Sequence, residues 1–548
     1  MATITGSEVL AQALKSQGVD TMFYLMGGPM LETEAACIQL GIRAIDTRHE
    51  QAAALAAHAW ARVTRRPGVC MGCSGPGTTN LVTGVANAFT DCAPLVAIGG
   101  SSPRVYLGME AFQEIDQVAV MRPVTKWAER VYDARRIPDV VATAFRQASS
   151  GRPGPVYLDL PGDILGEKVE EDKVTYPAPW RPAPRTLGDP NAVREAVALL
   201  ARAERPVIVA GSGVWWSDGA AALQAFVEAA GIPFYTKPIS RGLIPEDHAL
   251  SFLNARSTAF SEADVLLAVG TRFDWVIQFG RPPRFAADLE VIHVDVNPSQ
   301  LGHNRAVDVP IAGDARAVLE QLRAEAAGKV DPRRYAAWVG KLRTLDGEKA
   351  SESDKAMSSD NVPIHPLRLC KEVRDFLQRD AILIVDGQEI LNYGRQAIPT
   401  FEPGHRLNSG AFGCMGVGLP FGVGAKIARP DAQVVVLHGD GSYGLNAMEI
   451  DTAVRHKIPV VVVISNNGGW TADTPWARPL PKPGRRLGHT RYDRVAQELG
   501  AHGEFVEKPH DIRPALERAW ASGKPAVVNV ITDDKARAQT VRFSAYTT

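Results

Sequence analysis

Gly439-Asp440-Gly441-Ser442-Tyr443-Gly444, followed by Ser465-Asn466-Asn467-Gly468-Gly469-Trp470, decides how this chain is read. Each stretch leaves an apolar, β-branched run, Val434 to Leu437 for the first and Val460 to Ile464 for the second. Both therefore read as loops at the ends of buried parallel strands. Ala447 to His456 between them has helical composition and spacing. Open α/β sheets bind ligands at the carboxyl ends of their strands, so both loops are candidate site elements. Asp440 and the Asn466-Asn467 pair offer hard oxygen ligands, which suit Mg²⁺ or Ca²⁺ and not zinc. The glycines allow backbone N–H groups to close on phosphate oxygens at a helix start. Read literally, the first stretch also matches the dinucleotide pattern G-x-G-x-x-G. That pattern needs an acidic residue at the end of the next strand. Ser465, Asn466 and Asn467 stand there instead. A cation held between carboxylate, amide and diphosphate uses both loops.

The same strand–helix alternation extends outward to the whole chain. Residues 1–180 carry strand-like runs at Thr21 to Leu25, Ile42 to Thr47, Gly68 to Cys73, Pro94 to Ile98 and Val156 to Leu160. Helical stretches at Ser7 to Gln17, Met30 to Leu40 and Glu50 to Arg62 lie among them. A Pro-rich stretch from Tyr176 to Pro190 reads as a linker. Residues 191–345 form a second α/β unit, with strands at Pro206 to Ala210, Pro233 to Thr236, Val265 to Val269 and Glu290 to Val294. The polar stretch Gly347 to Asn361 reads as a second linker. Residues 362–548 form the third unit, with strands at Ala381 to Val385, Gln433 to Leu437, Val460 to Ile464 and Pro525 to Val530. The fold class is thus three consecutive α/β domains with parallel sheets. The first and third share a coarse plan, a hint of duplication.

At 548 residues the chain exceeds a single core. With 60 basic and 61 acidic residues, its formal net charge of -1 argues against a general binder of nucleic acid or membrane surface. No apolar run approaches the roughly 20 residues that span a bilayer, and Met1 to Ser7 lacks the features of a signal peptide. A cytoplasmic location is expected. The six cysteines are too scattered for a disulfide framework. Cys70-Met71-Gly72-Cys73 matches C-x-x-C, but it lies in an apolar strand-like run with no second Cys or His pair nearby, so buried packing is expected.

In the first unit the informative residue is Glu50, within Asp46-Thr47-Arg48-His49-Glu50-Gln51-Ala52. It opens a nearly charge-free helix, so its carboxylate is expected to be buried. A helix-capping role would explain it as well. The wider pattern decides between these. Arg48-His49-Glu50-Gln51, Ser74-Gly75-Pro76-Gly77-Thr78-Thr79-Asn80, Gly413-Cys414-Met415-Gly416-Val417-Gly418 and Gly439-Asp440-Gly441-Ser442 with Asn466-Asn467 occur in one order at whole-domain spacing. Over essentially its whole length the chain resembles the thiamine-diphosphate enzymes of the acetolactate synthase, oxalyl-CoA decarboxylase and 2-hydroxyacyl-CoA lyase group.

The resemblance implies a pyrimidine-binding first domain, a central domain holding ADP or FAD, and a pyrophosphate- and Mg²⁺-binding third domain. It implies that Glu50 hydrogen-bonds the aminopyrimidine and drives a proton relay. Asp440, Asn467 and the Gly469 carbonyl would ligate Mg²⁺. Gly439, Gly441, Ser442, Gly413 and the Gly387-Gln388-Glu389 loop would lie near the diphosphate, and Met415 would wedge under the cofactor. In the central domain Gly211-Ser212-Gly213, Gly270-Thr271-Arg272, His293-Val294-Asp295 and Gly313-Asp314 resemble the nucleotide-contact segments, with Arg152 as a further phosphate contact. Ser212 stands where the decarboxylases often carry lysine. The resemblance also implies that Glu50 and the diphosphate loops meet across subunits, which makes a homodimer the smallest active unit and a homotetramer the expected one.

For the substrate, Ser465 to Trp470 resembles the Asn-Asn-Gly-Gly loop of the acyl-CoA members, in which a C-terminal segment closes over the thioester. Here that segment holds Lys535, Arg537, Arg542 and Tyr546. Ala111-Phe112-Gln113-Glu114 resembles the acetolactate synthase pattern instead and departs from the Tyr-Glu pair of oxalyl-CoA decarboxylases. Phe112 and Gln113 would suit a substrate with alkyl groups beside a hydroxyl. Trp470 and Trp476 are candidate pocket walls, and Asp493 and His489 candidate bases. The expected function is a 2-hydroxyacyl-CoA lyase. Acetolactate-synthase-like carboligation, oxalyl-CoA decarboxylation and a non-catalytic nucleotide-binding homologue are the alternatives.

Overall fold

The computed structural model describes residues 2–180, 184–470 and 483–538. Three parallel sheets follow one another along the chain. The first has six strands in the order Arg43–Asp46, Thr21–Tyr24, Gly68–Gly72, Leu95–Ser101, Pro155–Pro161 and Trp127–Arg130. The central sheet has five, ordered Phe234–Thr236, Pro206–Ala210, Val265–Val269, Glu290–Asp295 and Val309–Ala312. The third again has six, ordered Arg406–Leu407, Ile382–Asp386, Val434–Gly439, Val461–Asn466, Ala526–Ile531 and His502–Val506. Numbered by appearance, the first and third sheets share one order, 2-1-3-4-6-5. The duplicated plan hinted at by the sequence extends to topology.

Sequence pattern finds the inner strands because they are buried on both faces and read as Val/Ile/Leu runs. It misses Trp127–Arg130, Val309–Ala312 and His502–Val506, and each of these lies at a sheet edge. There the alternation of polar and apolar side chains is short and interrupted by Glu129, Pro310 or Glu504. Two further expectations are corrected. The polar stretch from Gly347, read as a linker, continues the helix Ala336–Met357 as far as Met357. The helix expected over Ala447 to His456 is present as Glu449–Arg455, whereas the Asp440 loop is itself helical over Asp440–Leu445.

The outer domains meet through two helices of small residues. Glu50–Thr64 presents its alanines to Gly418–Ala428, and a Cβ added at Gly424 would lie 2.1 Å from the Ala56 carbonyl oxygen. Glycine there lets the backbones approach, and the joint core around them runs from Phe23 and Leu55 to Phe421 and Val462. Cys70 is buried and Cys73 half-buried, both as free thiols, in keeping with packing. Among the described residues no helix is long and apolar enough to cross a membrane.

Candidate active site

At the third sheet, strands Ile382–Asp386, Val434–Gly439 and Val461–Asn466 end in register, with Asp386 beside His438 and Gly439 beside Ser465. Their order reverses between the first two, which is where an open α/β sheet leaves a crevice. That crevice is lined by Gly387, Gln388, Glu389, Met415, Gly439, Asp440, Gly441, Ser442, Asn467, Gly469 and Trp470. Ten of the eleven positions expected from the sequence around the diphosphate and cation thus share one cavity. The exception is Gly413, which forms the left-handed turn (φ 71°) ahead of Met415 and stays outside the wall. A Cβ at Gly441 would come within 2.8 Å of the Trp470 ring, so the indole lies directly on the loop.

Asp440 is the electrostatic centre of this cavity. It is 2% exposed, and its Oδ2 has no hydrogen-bond partner among the described residues. Burial pushes its carboxyl up to about 6, with the N–H groups of Gly441, Gly468 and Gly469 working in the other direction. An unpaired buried carboxylate oxygen is costly unless a cation meets it. Asn467, whose Oδ1 accepts from Gly469 N at 3.3 Å, adds a hard oxygen beside it. This donor set fits Mg²⁺. The chain's last described segment packs along the same cavity, with Asp533 and Ala536 in the wall and Ala538 N donating to Glu389 Oε2 at 2.9 Å. Arg542, Tyr546 and Trp476 lie outside the described residues.

The matching end of the first sheet gathers Glu50, Phe112 and Gln113 around the segment Ser74 to Asn80. Glu50 is 4% exposed, and its Oε2 accepts from Asn80 Nδ2 at 2.9 Å. It does not cap its helix, because the cap is His49, whose Nδ1 accepts from Gln51 N at 3.1 Å. Ser74 Oγ donates to Gln113 Oε1 at 2.8 Å, and Gln113 itself has a left-handed backbone (φ 59°). Phe112 projects outward, 86% exposed. Sequence reading missed Gln117, which holds the turn at Gly75 N while donating to Gly100 O and Asp159 Oδ1. Within one chain Glu50 is not part of the Asp440 cavity.

In the central domain a cavity of about 280 Å³ is lined by Arg152, Ser212, Gly213, Arg272, Asp295 and Asp314. Gly211 lies behind it, where a Cβ would strike the Gly270 carbonyl oxygen at 2.3 Å. Lys237, not picked out from the sequence, also lines it, as does Thr271, whose Oγ1 is buried without a partner among the described residues. Burial raises the Asp295 carboxyl, while Asn297 N donates to it at 2.8 Å. Asp314 caps the helix Ala315–Ala326.

A fourth group was invisible to sequence motifs. Arg256 and Arg395, both half-buried, converge beside Arg241, Arg284 and the buried Tyr235. Arg241 is paired with Glu246, and its Nη1 also reaches Arg395 O at 3.4 Å. The guanidinium groups of Arg256 and Arg395 form no hydrogen bond or ion pair with the described residues. Burial, then Arg395, Arg284 and Arg241, brings Arg256 down to about 9, and burial then Arg241 brings Arg395 down to about 10. Of the two candidate bases, Asp493 is committed elsewhere. Burial would raise it, but hydrogen bonds from Arg491 and Asn529 hold it low. His489 Nδ1 lies 3.3 Å from Asn466 Oδ1, behind the Asn467 loop.

Fold and site together define a three-domain α/β protein with a glycine-rich crevice and a buried carboxylate, unpartnered at Oδ2 among the described residues, at the ends of its third sheet. Three family models agree along the chain: the thiamine pyrophosphate enzyme N-terminal TPP-binding domain over residues 4–120, the central domain over 193–322 and the C-terminal TPP-binding domain over 391–530. The chain belongs to the thiamine pyrophosphate enzyme family. It is 40% identical over 542 residues to the acetolactate synthase large subunit of Mycobacterium tuberculosis, covering 97% of this chain and 96% of the relative. It is 33% identical over 553 residues to 2-hydroxyacyl-CoA lyase 1 of Homo sapiens (97% and 95% covered) and 34% identical over 541 residues to oxalyl-CoA decarboxylase of Escherichia coli (97% and 95%).

Proposed function

We propose that this enzyme is a 2-hydroxyacyl-CoA lyase, cleaving the bond between C1 and C2 of its substrate to give formyl-CoA and a ketone or aldehyde, and running in reverse as a condensation. The observation that carries this reading is the unpaired pair Arg256 and Arg395. Arg395 lies on the helix Glu389–Ala397, which begins at the wall of the Asp440 cavity and rises roughly 9 Å to reach it. Two guanidiniums without carboxylates suit phosphate groups. Coenzyme A carries a diphosphate and a 3′-phosphate at the far end of a long pantetheine arm, whereas pyruvate offers only a carboxylate. Ala538 N donates to Glu389 Oε2, so the last described residues pack at the start of the helix that carries Arg395.

When bound, thiamine diphosphate supplies a nucleophilic carbon and an electron sink. The chain's own residues do the rest. Asp440, Asn467 and Gly469 would hold Mg²⁺; Gly387, Gln388, Gly439, Gly441 and Ser442 would hold the diphosphate; and Met415 would pack against the cofactor. Glu50, held at Oε2 by Asn80, holds and returns a proton at Oε1. Gln113, fixed by Ser74, orients the substrate hydroxyl, and Phe112 packs on its alkyl groups. In cleavage the 2-hydroxyl loses its proton as the C1–C2 bond breaks, and a proton is returned to C1, so the atoms balance. Glu50 belongs to the cavity of a second copy, which makes the working unit a homodimer at minimum and a homotetramer in full. The outward side chains Phe112, Met109, Leu445 and Met448 support that pairing. Arg152, Gly211, Gly213, Arg272, Asp295 and Asp314 hold ADP in the central cavity; a yellow purified protein would mean FAD instead.

Acetolactate-synthase-like carboligation is the second reading, favoured by the 40% identity to the mycobacterial large subunit. Incubation with 2-hydroxyisobutyryl-CoA, oxalyl-CoA and pyruvate in separate reactions, with product analysis, tests the proposal. Acetone and formyl-CoA from the first support it. Acetolactate from pyruvate with no thioester cleavage replaces it by the second reading.

A further inference from the structure

Beneath the diphosphate cradle, three buried residues meet at one imidazole. His438 Nδ1 lies 3.1 Å from Ser442 Oγ and 3.6 Å from Asp386 Oδ2, and all three residues are 2% exposed or less. The trio resembles a nucleophilic Asp–His–Ser set, but the geometry excludes that role. A relay needs the carboxylate and the hydroxyl on opposite ring nitrogens, and here both face Nδ1. Nε2 points instead at Gly418, where a Cβ would sit 2.3 Å away.

The hydrogen-bond arithmetic around Ser442 gives the trio another use. Ser442 Oγ lies 3.1 Å from Asp386 O and 3.0 Å from Gly439 O. Both are carbonyls and can only accept, so the single hydroxyl proton belongs to one of them. The remaining contact is satisfied only if Nδ1–H donates to Oγ, and the Asp386 carboxylate on the same side of the ring favours a proton there. The same Asp386 Oδ2 accepts from Gly418 N at 2.9 Å, which fixes the start of the helix that follows Met415. Asp386 therefore anchors the Met415 turn through its carboxyl group and meets the Ser442 hydroxyl through its own carbonyl, beside the imidazole.

We propose that His438, set beside Asp386 by strand register, is a positioning residue that makes Ser442 an obligate hydrogen-bond donor to the cofactor diphosphate. With its oxygen already accepting from the imidazole, Ser442 turns its proton to a phosphate oxygen when one arrives, and the two bonds in series reinforce each other. The inference rests on Ser442 meeting the diphosphate. Neither His438 nor Asp386 lines the cavity.

The test is a double-mutant cycle read by binding. Trp470 lies on Gly441 in the cradle wall, so quenching of its fluorescence reports thiamine diphosphate binding in the presence of Mg²⁺, independently of turnover. Ser442→Ala and His438→Leu are each expected to weaken binding about tenfold, and the double variant no further, because both remove one interaction. His438→Asn, whose amide replaces the Nδ1 donor, restores affinity to within about threefold of the wild type. His438→Gln, whose amide falls at the Nε2 position, does not, and it replaces His438→Leu in the cycle should that variant not fold. Additive losses, or equal affinities for the Asn and Gln variants, overturn the inference. Undiminished binding by Ser442→Ala overturns the placement of Ser442 at the diphosphate, a distinguishable failure.

Discussion

The first and third sheets share a strand order and carry opposite equipment. At the third, three strand ends converge on Asp440, Asn467 and a run of glycines, which makes a cradle for a cation and an anion. At the first, the equivalent end carries Glu50, Asn80, Ser74 and Gln113, which makes a set of proton and hydrogen-bond partners. On the function proposed above, one scaffold, used twice, separates holding from proton movement. Topology alone says where a ligand sits, and the residues on the loops say what is done to it.

Substitutions that strip one sheet and spare the other should separate these duties. The largest effect is expected from Glu50→Gln. Turnover should fall by roughly 10² to 10⁴, the usual scale of acid–base catalysis. Thiamine diphosphate affinity, read by Trp470 quenching, should stay within a few-fold. Equal losses in both would mean that the first sheet also serves for holding.

Asp440→Asn attacks the other side. Mg²⁺-dependent cofactor binding should weaken about 30-fold or more, the scale of removing one partner from a buried charged contact. The wild-type pH dependence follows from the same carboxyl. Burial holds it near 6, so below that pH it takes up a proton and gives up the cation. Mg²⁺ affinity should therefore fall as pH drops through about 6 in the wild type and stay flat in the variant, as titration calorimetry would show. In the cation-free protein the sign is reversed. The folded state binds the proton more tightly than the unfolded chain, so stability declines as pH rises from about 4 to 6, and the variant should melt higher above that window.

Arg256→Ala and Arg395→Ala touch neither sheet end. Each should raise the acyl-CoA KM about tenfold with kcat nearly unchanged, the pattern of lost uniform binding. A larger fall in kcat than rise in KM would move the pair into the chemistry. The smallest effect is expected at the joint between the sheets. Gly424→Ala forces a methyl against the Ala56 carbonyl and should cost about 1–3 kcal/mol, seen as a lower melting temperature with cofactor affinity unchanged.

Much of this was legible in the sequence because the signals are local. Val434 to Leu437 and Val460 to Ile464 announce buried strands, and the loops after them carry their ligand groups within a few residues. Three of the edge strands were not legible, since Glu129, Pro310 and Glu504 interrupt the pattern that burial imposes on inner strands. Arg256 and Arg395 were hidden for a different reason. Neither has a local signature, and only the fold brings them together. His438 and Asp386 stand one residue past the runs that read as strands, Gln433 to Leu437 and Ala381 to Val385, and their meeting at Nδ1 is a matter of register.

The central claim is the substrate, and one measurement addresses it most directly. The enzyme, with thiamine diphosphate and Mg²⁺, is given 2-hydroxyisobutyryl-CoA, and the thioester products are resolved by mass spectrometry. The account predicts formyl-CoA and acetone in equal amounts, lost on Glu50→Gln. Intact thioester from an enzyme that converts pyruvate to acetolactate would contradict it.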